Sequence, residues 1–257
     1  MMDGGTALVT GASAGIGAAL AREFASHGHD VVPVARRTER LESLAADLES
    51  QGVTATPIAM DLDRDGAAAD LYETVAARDL DVDILVNNVG VGTYGPFRES
   101  DLDAERTQLQ LNVVLPVELT RLFLDDLSDG GAVLNVGSVA GFQPGPQMAG
   151  YYASKAYVNS FTEALAEELR ETPVAVTLLC PGPVDTEFQA RAGMADSSVG
   201  ALSSNTPEAV AEAAYEGLMG GETVVVPSTS MRVVDLLGRL APRSVVRRVA
   251  HWVNGDR

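Results

Sequence analysis

The sequence predicts an α/β fold, a doubly wound parallel sheet of about seven strands with helices on both faces. Three observations carry that expectation. Short runs of Val, Leu, Ile and Ala alternate along the chain with segments whose apolar residues recur at helical spacing. The first of these runs leads straight into a glycine-rich turn and then a helical pattern, the context in which a glycine motif gains meaning. The 257 residues are enough for a sheet covered on both faces, and no repeat, linker or low-complexity stretch divides them. One domain spanning 1–257 is expected, with residues 228–257 as a basic amphipathic extension.

Taken in order, residues 6–10 (Thr-Ala-Leu-Val-Thr) form a short apolar strand, followed at once by Gly11-Ala12-Ser13-Ala14-Gly15-Ile16-Gly17. Ile16, Leu20 and Phe24 then repeat at helical spacing up to the turn at His27-Gly28. Residues 30–35 read as a second strand, 39–50 as a helix and 53–59 as a third strand ending near Asp61. Residues 64–78 are helical, and 83–86 give a fourth strand running into Asn87-Asn88-Val89-Gly90. A long helix is expected over 101–126, with Pro116 kinking or breaking it because an interior proline loses a ladder bond. Residues 132–136 form a fifth strand leading to Gly137-Ser138, 151–170 another helix, 174–179 a sixth strand and 223–226 a seventh. Strands alternating with helices in this way indicate a parallel sheet, and such sheets bind ligands at the carboxyl ends of their strands. Two long irregular stretches, 141–150 and 182–205, are placed to border that site.

Composition narrows the function. A net charge of −18, from 36 acidic against 18 basic residues, disfavours nucleic-acid binding, which needs cations on phosphates. Cys180 is the single cysteine, so no internal disulfide and no zinc-binding thiolate cluster is expected, and no metal site is read from the sequence. No apolar run approaches the ~18 residues of a membrane span, and a strand pattern opens the chain, so a cytoplasmic protein is expected. The charge is uneven: residues 228–257 carry +4 and the rest −22. Around Pro242, apolar residues alternate with arginines as in two short amphipathic helices. These would either dock on an anionic membrane surface or pack on the acidic body of the protein itself, the second being favoured.

The chemistry-bearing stretch is Tyr151-Tyr152-Ala153-Ser154-Lys155, with Ser138 shortly before it. Residues three and four apart share a helix face, so Lys155 can lie against either tyrosine. A free phenol titrates near ~10, and an ammonium within about 4–6 Å lowers that value toward the range useful for acid-base work. Lys155 is the only lysine among 18 cationic side chains, which fits a place where a compact ammonium matters. At the other end of the chain, the glycine turn lets the backbone approach a pyrophosphate without a Cβ in the way, and the following helix directs free N–H groups at it. The second strand ends on Ala35, Arg36 and Arg37 where a cofactor with a free ribose 2′-hydroxyl usually meets a carboxylate. A guanidinium there pairs with a 2′-phosphate, so NADP(H) is expected over NAD(H).

These motifs together, Thr10-Gly11-x-x-x-Gly15-x-Gly17, Asn87-Asn88-Val89-Gly90, Asn112, Gly137-Ser138, Tyr151-x-x-x-Lys155 and Pro181-Gly182-Pro183-Val184-x-Thr186, resemble the short-chain dehydrogenase/reductase family over nearly the whole chain. Val89 stands where the family usually has Ala, and Ala14 where many NADP-dependent members carry a basic residue. The resemblance implies a Rossmann-type fold and hydride transfer between a nicotinamide and a ketone or secondary alcohol. It implies that Tyr151 is the acid-base residue, that Lys155 lowers its pKa and holds the nicotinamide ribose, that Ser138 bonds the substrate oxygen and that Asn112 positions a relay water. Gly11, Ser13, Ala14, Gly15, Ile16 and Gly17 would meet the pyrophosphate, and Arg36, with Arg37, the 2′-phosphate. Asp61 and Leu62 would border the adenine, Asn88 its ribose, and Val184 and Thr186 the nicotinamide amide. By the same resemblance the helices over 101–126 and 151–170 would pair across a two-fold axis in a homodimer or homotetramer.

The substrate side is read from apolar loop residues: Val91, Tyr94 and Phe97, then Phe142 and Met148, then 188–194. They favour a carbonyl or alcohol with a hydrophobic body over a sugar, in line with the branch of the family that reduces ketones or 3-oxoacyl chains. The competing reading is a non-catalytic NADP-binding redox sensor. The intact Ser-Tyr-Lys set weighs against it, since a sensor needs no perturbed phenol.

Overall fold

The computed structural model describes residues 4–193, 205–228 and 242–254. Among them, seven parallel strands form one sheet: β1 (Thr6–Thr10), β2 (Asp30–Ala35), β3 (Ile58–Ala59), β4 (Ile84–Asn87), β5 (Ala132–Val136), β6 (Ala175–Leu179) and β7 (Val224–Val225), in the order β3-β2-β1-β4-β5-β6-β7. The winding reverses between β1 and β4, which opens a crevice beyond their carboxyl ends.

Helices α1 (Gly15–Ser26), α2 (Thr38–Glu49) and α8 (Pro207–Met219) bury Leu20, Phe24, Leu41, Leu48, Val210 and Leu218 against one face, where Ala7 and Val9 of β1 point. Leu8 points the other way, with Val32, Leu85 and Val133, and meets Leu71 and Val75 of α3 (Ala67–Ala76) and Leu115, Leu119 and Phe123 of α5 (Leu115–Phe123). The two-residue alternation of a strand sorts side chains between two cores, and both are apolar because both faces are covered. A buried polar ladder crosses the second core. Asn87 Nδ2 donates to Asn135 Oδ1 (2.9 Å) and Thr120 Oγ1 (3.1 Å), and Asn135 Nδ2 donates to Thr162 Oγ1 (3.0 Å). It fixes β4 and β5 against α5 and α6 (Ala149–Glu168), the helix that carries the Tyr-Lys motif.

Several predicted boundaries move for identifiable reasons. The long helix expected over 101–126 is divided: α4 (Leu102–Leu109), capped by the Asp101 carboxylate on Asp103 N–H (3.0 Å), runs into a π-helical segment at Gln110–Val114 and then α5. Pro116 falls in the first turn of α5, where its missing N–H costs little. The strand expected over 53–59 shrinks to β3 plus a single bridge from Val31 to Ala55, because Pro57 has no N–H to give the ladder. Helix α3 begins after Gly66, whose φ of +76° breaks a helix starting at 64. Of the two amphipathic segments expected at the C-terminus, the first lies outside the described residues. The second is α9 (Arg243–Asn254). Among the described residues no helix is long and apolar enough to cross a membrane.

Candidate active site

The turn after β1 is built for close approach. Gly11 and Gly15 have φ of +70° and +57°, and a Cβ on Gly17 would strike the Asn88 amide and the Gly11 carbonyl. Asn88 is held in turn: its N–H donates to Thr10 Oγ1 (3.0 Å) and its Nδ2 to the Thr10 carbonyl (2.8 Å), joining the ends of β1 and β4. Among the described residues, α1 has no side-chain N-cap and no acid in its first turn, so its N–H groups face the crevice uncompensated. Ser13, Ala14, Gly15 and Ile16 line the crevice beside them. A backbone cradle at an uncapped helix N-terminus suits a pyrophosphate.

At the β2 end, Arg36 is largely exposed and lies 3.9 Å from Asp61. Leu62 is buried in the second core yet still borders the crevice. Arg37 is more committed. Its Nε and Nη2 donate to Ser13 Oγ (3.1 and 2.9 Å), and its Nη1 to Glu187 Oε2 (2.9 Å). The two arginines fit a 2′-phosphate, Arg36 as the freer group. On the opposite wall, Thr186 caps the short helix α7 (Glu187–Arg191) through Phe188 N–H (3.3 Å) and packs on Gly15. Val184 is buried and bridges to Asn205.

The closed end of the crevice sits between β5 and α6. Ser138 follows β5 in extended backbone, accepts from Ala140 N–H (3.1 Å), donates to the Pro181 carbonyl (3.5 Å) and lies beside the Tyr151 hydroxyl. Burial pushes the Tyr151 phenol up to about 12, outweighing the Ser138 hydroxyl, which lowers it. Burial is the larger influence on the phenol in this geometry. Lys155 is buried, donates Nζ to the Val136 carbonyl (2.7 Å), and is itself pushed down to about 8 by burial.

Asn112 faces the loop after β4. It lies in the π-helical segment, with Oδ1 accepting from Val91 N–H (2.9 Å) and Nδ2 donating to the Val91 carbonyl (2.9 Å) and Ser154 Oγ (3.0 Å). Its side chain braces the loop after β4. Tyr152 is turned elsewhere: its ring packs on Gly145 and its hydroxyl meets Asn254 Oδ1 (3.4 Å).

Comparison with known proteins fits this geometry. The family profile described as short chain dehydrogenase matches residues 5–196. The chain belongs to the short-chain dehydrogenase family. It is an NAD(P)-dependent oxidoreductase. A short-chain dehydrogenase of Pseudocercospora fijiensis is 39% identical over 193 residues, covering 74% of this chain and 62% of that relative, so the match spans under two thirds of the relative's length. Among solved structures, a Sphingobium yanoikuyae short-chain dehydrogenase in complex with NADPH superposes with a TM-score of 0.81 at 32% identity, covering 91% of this chain and 93% of that one. The bulky-bulky ketone specific alcohol dehydrogenase from Comamonas testosteroni gives 0.77 at 30% identity, with 96% of each chain covered.

In this short-chain dehydrogenase the crevice has a volume of about 340 Å³ and joins the glycine cradle to Tyr151. Val91, Met148 and Phe188 line it as expected. Tyr94 packs beside Tyr151 and Phe188, with its hydroxyl on the Asn254 carbonyl (2.6 Å). Tyr94 does not line it, nor do Ala190, Ala192 and Gly193 of the expected 188–194 stretch, nor Phe97, which is 65% exposed on a short 3₁₀ turn, nor Phe142, which packs on Leu178, Cys180 and Val226. Met194 falls outside the described residues. The sequence reading missed Gly92, where a Cβ would press on Phe188 and Tyr151, and missed Glu187 and Asn254. Glu187 stood within the motif around Thr186. Nothing in the sequence marked Asn254, which acts only through α9 folding back, with Nδ2 on the Pro146 carbonyl (3.0 Å).

Proposed function

We propose that this enzyme is an NADPH-dependent reductase of a hydrophobic ketone or 3-oxoacyl substrate, with Ser138, Tyr151 and Lys155 as its catalytic residues. The observation that carries the reading is Ser138, Tyr151 and Lys155 brought together at the apolar end of one crevice whose other end is a glycine cradle flanked by Arg36 and Arg37. When bound, the reduced nicotinamide supplies the hydride. Ser138 orients the carbonyl oxygen and Tyr151, neutral at ordinary pH, gives that oxygen its proton. Lys155 would hold the ribose hydroxyls and, as an ammonium near the phenol, would lower its pKa. Asn112 positions the wall at Val91 and a relay water.

The preference for NADP(H) rests on Arg36 and Arg37 and on the absence of a carboxylate at Ala35; the NADPH complex of the Sphingobium relative points the same way. A hydrophobic carbonyl is supported by Val91, Met148 and Phe188 at the phenol and by the ketone named for the Comamonas relative. We read 1–257 as one cytoplasmic domain that assembles as a homodimer or homotetramer. The basic tail packs on its own body rather than a membrane, a reading favoured by the Asn254 bonds to Tyr94, Tyr152 and Pro146.

The test is NADPH consumption with a panel of ketones and 3-oxoacyl thioesters. Tyr151→Phe should lose turnover by a factor of at least ~10² while keeping cofactor affinity, and Tyr152→Phe should keep most of it. Full activity in Tyr151→Phe would reject the assignment. Arg36→Ala should weaken NADPH and leave NADH unchanged; equal weakening of both would remove the 2′-phosphate role.

A further inference from the structure

Glu187 stands where three guanidinium groups converge. Its Oε2 accepts from Arg37 Nη1 (2.9 Å) and Arg191 Nη2 (2.5 Å), and its Oε1 from Arg40 Nη1 (2.5 Å). The Arg40 and Arg37 guanidiniums hold its carboxyl down at about 2, so it is anionic at any working pH. With Nε and Nη2 on Ser13 and Nη1 on Glu187, all three nitrogens of Arg37 are engaged. The next residue, Phe188, packs on the Tyr151 ring (centroids 5.2 Å apart) and against Gly92. Helix α7 therefore touches the proposed 2′-phosphate site with one side chain and the proposed proton donor with the next.

We propose that Glu187 is a specificity-determining carboxylate: it occupies Arg37 and Arg40 as an internal stand-in for the 2′-phosphate, and a 2′-phosphorylated cofactor displaces it and loosens α7 over Tyr151. The inference rests on the reading of Arg36 and Arg37 given above. A phosphate dianion cannot share Arg37 with a carboxylate without like-charge repulsion, so one anion must leave. Glu187 leaves at low cost because Arg191, one helical turn on, still pairs with it. A cofactor without the 2′-phosphate has no anion to compete with and leaves the latch closed. The charge at position 187 thus opposes NADP(H) binding modestly and makes the position of α7 report which cofactor is present.

The probes are adenosine 2′,5′-bisphosphate and 5′-AMP, which differ by the 2′-phosphate alone, titrated by calorimetry into wild type, Glu187→Gln, Glu187→Ala and Arg37→Ala. Both Glu187 variants should bind the bisphosphate about two- to fivefold more tightly, the scale of a half-exposed ion pair, with 5′-AMP unchanged. In wild type the bisphosphate, but not 5′-AMP, should speed amide hydrogen exchange over residues 187–193. Unchanged or weaker bisphosphate binding in both Glu187 variants, an equal gain for 5′-AMP, or exchange that ignores the bisphosphate would overturn the proposal. Should wild type and Arg37→Ala fail to distinguish the two probes at all, the 2′-phosphate reading itself falls. Discrimination by wild type with no change in the Glu187 variants removes the latch alone.

Discussion

Lys155 and Tyr151 are displaced in opposite senses, and both displacements are visible in stability against pH. Lys155 is lowered from 10.5 to about 8, so between those values the unfolded chain holds a proton that the folded chain has released, and stability rises with pH. Tyr151 is raised from 10.0 to about 12, so across that window the folded chain keeps a proton that the unfolded chain loses, and stability falls. The thermal midpoint of the cofactor-free protein should climb from pH 8 toward pH 10 and then decline. Lys155→Met should flatten the climb, and a midpoint equally steep in the variant would contradict the burial of the amine. Ultraviolet difference titration of wild type against Tyr151→Phe should place phenolate formation near pH 12. Thr10 is a quieter case: fully buried, it donates to the Val86 carbonyl (3.1 Å) and accepts from the N–H groups of Asn88 (3.0 Å) and Val89 (3.2 Å). Thr10→Val would strand both N–H groups and should cost about 1–3 kcal/mol in chemical denaturation.

The elements around the crevice were legible to different degrees. β1, β2 and β5 fall on the predicted residues because each is an apolar run ended by a glycine turn or a charged residue, which are local signals. The edge strand β3 and the divided helix of α4 and α5 were not, since both depend on a proline whose effect is decided by its neighbours. At Pro57 no partner accommodates the missing N–H, and at Pro116 a π-helical turn does. The glycine turn makes the sharpest prediction for an element. In Gly17→Ala the new methyl would meet the Asn88 amide and the Gly11 carbonyl, forcing β1, α1 and the loop after β4 apart. The variant should lose thermal stability and cofactor affinity together. Gly28→Ala, where φ is +82° but space is open, should lose stability alone. NADPH titration beside a melting curve separates them.

For the molecule as a whole, the exposed large apolar side chains among the described residues fall in two groups: Leu102, Leu109, Val114 and Tyr157 on α4, the π segment and α6, and Val245, Val249 and Trp252 on α9, with Phe97 on the 3₁₀ turn before α4. The elements of the first group touch one another, and they are where the family resemblance expects a two-fold contact. Sedimentation velocity should show a species larger than the 26.9 kDa chain. Leu109→Glu combined with Tyr157→Glu should shift it to monomer. Because each copy carries −18, association should strengthen as salt screens the repulsion, and a salt-independent monomer would rule the contact out.

The chemistry was written locally. A glycine turn, a lone lysine four residues from a tyrosine and a serine ahead of both announce themselves by residue type and spacing, as does the alternation of strand and helix that puts them at one edge of a sheet. What needed the folded chain were relations across distance. They include which tyrosine lies beside Ser138 in the crevice, that burial raises that phenol while the lysine bonds backbone, and that Glu187 reaches Arg37 across 150 residues and Asn254 reaches Tyr94 across 160. Such contacts follow from how elements pack and how much water they exclude, quantities that no short stretch of residues carries.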